Sequence, residues 1–124
     1  SGSLVVKLWT AGRGVLNQHL FKVSSRDFPK WFYYLWTVEH LARFQRIAAD
    51  KATTMGHIKR EHLSQAKALV PSAGLLEVMT GVISPLLDQQ INNDLESRTL
   101  TGIRDALLPK LLSGEIRVGT RAKT

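Results

Sequence analysis

The side chains of this sequence best placed to do chemistry are amides, hydroxyls and cations that grip polyanions. Asn17 and Gln18 stand side by side, and either amide can form a paired hydrogen bond with an adenine edge in a major groove. On a strand one of two neighbours points away from any ligand, so each also reads as a structural or solvated residue. Thr53, Thr54, His57, Lys59 and Arg60 gather around one irregular stretch, where hydroxyls and cations can hold phosphates. The alternative is a solvated loop that caps the turn after it. Arg13 lies between Gly12 and Gly14, where it can approach a phosphate closely, although an exposed arginine in a turn is equally ordinary.

Bond-breaking chemistry is poorly supplied. The sequence has no Walker loop, no dinucleotide fingerprint and no G-x-S-x-G elbow. Glu61, Glu77 and Asp88 are isolated acids without an evident base or nucleophile. His19, His40, His57 and His62 lack a metal-site spacing such as i and i+4 on one helical face, so no metal or cofactor is expected. Arg43 and Arg46, three apart, read as a solvated face that adds to the positive field. The chain is expected not to be an enzyme.

These residues need elements to position them. At 124 residues the chain has length for one compact unit, or two small ones sharing a core. It has no cysteine, which excludes disulfides and thiolate metal sites and fits a reducing cytoplasm. No apolar run approaches the ~18 residues of a membrane span, so no membrane partner is expected. The net charge of +7 is unevenly placed. Residues 1–70 carry eleven Lys/Arg against four Asp/Glu, whereas residues 71–118 carry four against six. A basic part beside a near-neutral part reads as a polyanion-binding unit joined to a packing unit; solubility alone is the bland alternative.

Leu4 to Trp9 and Val15 to Val23 read as strands joined by a Gly-rich turn into a hairpin, with a further strand at Ala66–Val70 stopped by Pro71. Asp27-Phe28-Pro29 opens an amphipathic helix to about Ala49, with Trp31, Leu35, Val38 and Ala42 on its buried stripe. Asp50 to Ile58 reads as loop, and Lys59 to Leu63 as one helical turn. Ser72-Ala73-Gly74 is the best boundary. A short helix from Leu75 to Val82 follows, and Ser84-Pro85 opens a second that ends near Gly114. Leu87, Ile91, Leu95, Ile103, Leu107 and Leu111 form its apolar stripe, and from Pro85 to Ser113 the helix would span roughly 43 Å at about 1.5 Å per residue. That is too long for this chain to cover, so part of the stripe should pack on another helix. Gly102 and Pro109 should weaken it locally. The expected fold is α+β: β-hairpins and a helix, then a long C-terminal helix packing as a coiled coil or helical hairpin.

Three segments, in order, resemble one family. Residues Gly14 to Val23 are similar to a strand of the target recognition domains in type I restriction–modification specificity subunits. Phe32-Tyr33-Tyr34-Leu35, then Ala52-Thr53-Thr54-Met55-Gly56-His57-Ile58, resemble the family's helix and threonine-rich loop, with Ala52 where the pattern has glycine. Leu100 to Val118 is similar to the closing conserved helical region. The resemblance implies a non-catalytic subunit that reads half of a split DNA site and binds methyltransferase subunits through its helices.

It further implies a C-terminal piece: residues 1–72 a partial recognition domain, 73–118 a helical spacer and dimerisation region, 119–124 a basic tail. The expected partners are double-stranded DNA, bound weakly or without sequence preference, the methyltransferase subunits, and a second copy packed against residues 75–113 as antiparallel helices. A pure interaction module without DNA binding is the alternative.

Overall fold

The computed structural model describes residues 4–17, 19–50 and 58–119, with the side chain of Asp50 left aside. Its elements are four helices: α1 (Lys30–Glu39), α2 (Leu41–Asp50), α3 (Arg60–Ser64) and α4 (Ala73–Leu112). Among the described residues there is no strand, so the α+β expectation with β-hairpins is overturned and the fold is helical. Leu4–Trp9, the described part of Val15–Val23, and Ala66–Val70 have strand-forming side chains but no ladder partner.

Local hydrogen bonds organise the N-terminal segment instead. The Trp9 indole N–H donates to the Gly12 carbonyl at 2.6 Å, folding the chain back on itself. Gly12 has φ +82°, and a Cβ on Gly14 would lie 2.9 Å from the Trp9 ring. Asn17 Oδ1 accepts from the His19 N–H at 2.9 Å, and the Leu20 N–H donates to the Asn17 carbonyl at 3.2 Å. That Asx turn interrupts the second expected strand in its middle.

The aromatic helix comes in two parts. Ser25 Oγ accepts from the N–H groups of Asp27 and Phe28 at 3.2 and 3.1 Å, so the turn before the helix rests on Ser25 rather than Asp27. Pro29 takes the cap position at φ −66°, with extended backbone. The chain leaves regular helix only at His40, whose N–H still donates to Trp36 O and whose carbonyl accepts from Phe44 N–H. Phe28, Phe32, Trp36, His40 and Phe44 stack in sequence, with ring centroids 4.8 to 6.3 Å apart. These are i, i+4 steps, which place neighbours on one helical face.

The two expected C-terminal helices are one. Ser72, not Ser84, caps α4: its hydroxyl accepts from the Leu75 N–H at 3.4 Å. The helix then runs unbroken for 40 residues, about 60 Å at ~1.5 Å per residue, with Pro85 and Pro109 inside it. An interior proline costs about 3 kcal/mol. At Pro85 this is offset by burial on either side, since Leu87 is buried and Ile83 and Ile91 are partly so against α1. Fully burying one such side chain contributes ~1.5–3 kcal/mol. At Pro109 the surroundings are exposed, so water can satisfy the carbonyl that loses its donor. Gly114, at φ +78°, turns the chain after the helix, and its N–H donates to Leu111 O.

The core is small. Trp31 and Phe32 of α1 meet Leu87 of α4, with Leu76, Met79, Ile83 and Ile91 packed around them. The Trp31 indole N–H donates to Thr80 Oγ1 at 3.0 Å, and that hydroxyl donates to Leu76 O at 2.7 Å.

Candidate nucleic-acid and assembly surfaces

The nucleic-acid candidates divide between two elements. Arg13 and Asn17 lie in the N-terminal turns, both exposed. Asn17 uses its amide oxygen on the His19 backbone, which leaves its NH₂ as the outward donor. Lys59 and Arg60 open α3 and are also exposed. Lys59 occupies the cap position, where its backbone N–H donates to His62 Nδ1 at 3.0 Å. Its ammonium lies 3.8 Å from Glu61, a solvated contact that leaves the cation available. Gln18, Thr53, Thr54 and His57 lie outside the described residues. The threonine-rich loop therefore contributes only its edge: Ile58, which is buried, and Lys59.

His40 is a residue that sequence reasoning treated only as a failed metal ligand. Its ring stacks on Trp36 and lies 5.9 Å from Phe44, while Nε2 donates to the Lys67 carbonyl at 2.9 Å. It ties the α1–α2 junction to the segment leading into α4, a contact 27 residues away in sequence. No spacing rule reveals such a bond. Among the described residues, no group of three His, Asp or Glu is arranged to hold a metal ion.

The helix-packing candidates separate along α4. Leu87 and Ile91 pack into the core with α1. Leu95, Ile103, Leu107 and Leu111 do not, and are 43, 50, 42 and 40% exposed. From Asn92 to Gly119 every residue is exposed, so the second half of α4 stands clear of the rest of the described chain. No helix among the described residues is long and apolar enough to cross a membrane.

No family model matches this chain, and no solved structure matches it significantly. Two curated proteins do. The type I restriction enzyme MjaIX specificity subunit of Methanocaldococcus jannaschii is 29% identical over 100 residues, 81% of this chain and 23% of that protein. The type I restriction enzyme HindI specificity subunit of Haemophilus influenzae is 26% identical over 76 residues, 61% of this chain and 17% of that protein. The chain thus spans less than a quarter of the length of either relative. The resemblance carried by the recognition-like segments and the closing helix is borne out, and the chain is similar to part of a type I restriction enzyme specificity subunit.

Proposed function

We propose that this chain is a non-catalytic DNA-recognition and assembly module of a type I restriction–modification specificity subunit, acting in the cytoplasm. Residues 1–72 bring a basic surface to double-stranded DNA. Residues 73–118 associate through α4 with a second copy or with methyltransferase subunits, and residues 119–124 add a basic tail. The observation that carries the reading is the free half of α4. Most helical stability in proteins comes from packing of an apolar face rather than from propensity, and this helix contains Gly102 and Pro109, both poor helix residues. A helix so built, with an apolar stripe in solvent, draws its stability from a partner.

The DNA part is supported by the charge division and by the exposed cations at Arg13, Lys59 and Arg60. Phosphate contacts of this kind give weak, salt-sensitive binding with little sequence preference. Fluorescence-anisotropy titrations with duplex DNA at several salt concentrations test it. Binding should weaken steeply with salt, and Lys59→Ala and Arg60→Ala should each flatten the log–log slope by about one. Absence of binding at low salt overturns the DNA assignment and leaves a pure dimerisation or docking module, the reading that the free apolar helix supports by itself.

A further inference from the structure

Resting on the reading of residues 1–72 as the nucleic-acid face, we infer that the Trp9 indole is a stacking platform for an unpaired nucleobase, with Lys7 and Arg13 on the flanking phosphates. Trp9 is 69% exposed, whereas Trp31 of the same chain is 4% exposed. Tryptophan is on average a highly buried side chain, so one held in solvent is unusual. Burial alternates from Leu4 to Thr10, and Trp9 falls on the outer side while Leu8 packs against the core.

The ring is nevertheless held in place. Its N–H donates to the Gly12 carbonyl at 2.6 Å, and its six-membered ring lies against Gly14, where a Cβ would come within 2.9 Å. Gly12, at φ +82°, makes the turn that brings both contacts to the indole. An aromatic surface fixed before binding loses little conformational freedom when a flat ligand stacks on it. The indole N–H is the side chain's single polar group, and it is spent on Gly12. What remains outward is π surface, on which any base can stack and which reads no base edge.

The charge around the ring selects nucleic acid over protein. Residues 1–26 contain Lys7, Arg13, Lys22 and Arg26 and no Asp or Glu. All of these cations are exposed, and none is ion-paired with a carboxylate among the described residues. Arg13 lies between Gly12 and Gly14, the two residues that hold the ring, so its backbone is fixed beside the indole. Lys7 precedes Trp9 by two residues and shares its outer side of the alternating segment. Val15 and Leu16 are exposed nearby, yet an apolar protein surface would leave the cations unneutralised. A nucleic-acid strand brings one phosphate with each base. Cations along the backbone with an aromatic face for the bases bind single strands without sequence preference. In a paired duplex each base face is covered by its neighbours, so the ring favours an unpaired base.

Titrations with oligo(dT), and with a paired duplex of the same length, test the site. Oligo(dT) should quench the fluorescence of the unsubstituted chain, because Trp9 is the most exposed of its three tryptophans. Trp9→Leu should lower oligo(dT) affinity roughly tenfold and duplex affinity far less, with the salt slope unchanged because no charge is lost. Trp9→Phe should keep most of the affinity and lose the quenching. Lys7→Ala and Arg13→Ala should each flatten the log–log salt slope for oligo(dT) by about 0.7. Unchanged oligo(dT) affinity in Trp9→Leu, or an equal loss for oligo(dT) and duplex, overturns the stacking site while leaving DNA binding in place. A change in sedimentation of Trp9→Leu with oligo(dT) affinity intact assigns the ring to a protein contact instead. Absence of binding to either nucleic acid at low salt overturns the DNA reading and this site with it.

Discussion

Trp31 fastens α1 to α4 by two means at once. Its ring fills the centre of a core with few buried side chains, and its indole N–H is held by Thr80 Oγ1 at 3.0 Å. The shape of Trp31 as a core residue is legible from its place on a helical stripe, but its hydrogen-bond partner is 49 residues away and is not. Thr80→Val keeps the shape and removes the acceptor, stranding a part-buried donor. It should cost about 1–3 kcal/mol in urea denaturation, while Thr80→Ser should retain most of the stability. Equal stability of Thr80→Val and the unsubstituted chain would mean that water replaces the hydroxyl. The binding candidates divide similarly. Arg13, Asn17, Lys59 and Arg60 can be chosen by residue type, yet type does not reveal that Asn17 already spends its oxygen on a turn.

At the scale of elements, α4 is the instructive case. Its apolar period from Leu87 to Leu111 and its stop at Gly114 are visible in sequence. Its start is not, because Ser84-Pro85 carries the local signature of a cap while packing of Ile83, Leu87 and Ile91 on α1 carries the helix through it. The absent strands show the reverse failure: Leu4–Trp9 has strand composition, but pairing is a non-local property that composition does not supply. Gly102 tests how near α4 is to its limit. A Cβ there meets nothing within 4 Å, and the residue lies across the helix from the Leu100–Ile103 stripe. Gly102→Ala should therefore stabilise the helix by about 0.8–1 kcal/mol, read as a higher midpoint in thermal unfolding followed at 222 nm. A lower midpoint would place an unforeseen close neighbour on that face.

For the whole molecule, the governing fact is that the positive excess and the uncovered α4 stripe lie in different parts of the chain, although exposed apolar side chains such as Val15 and Leu69 also lie in the basic part. The positive excess lies in residues 1–70, and the long uncovered stripe lies on a helix of slightly negative balance. Two like-charged copies can meet along α4 without bringing their basic parts together, so dimerisation and polyanion binding need not compete. Ile103→Asp with Leu107→Asp puts two carboxylates on each copy into the proposed α4 seam. Burying an unpaired charge costs several kcal/mol, more than a seam of this size can absorb. The double variant should sediment as a monomer, or lose helix signal if the second half of α4 cannot hold without its partner. Its DNA affinity per chain, measured at low salt on the still-folded fraction, should change little, because neither site lies in the basic half. A dimer of unchanged strength would show that Ile103 and Leu107 face solvent in the assembled protein, and would move the interface away from the second half of α4.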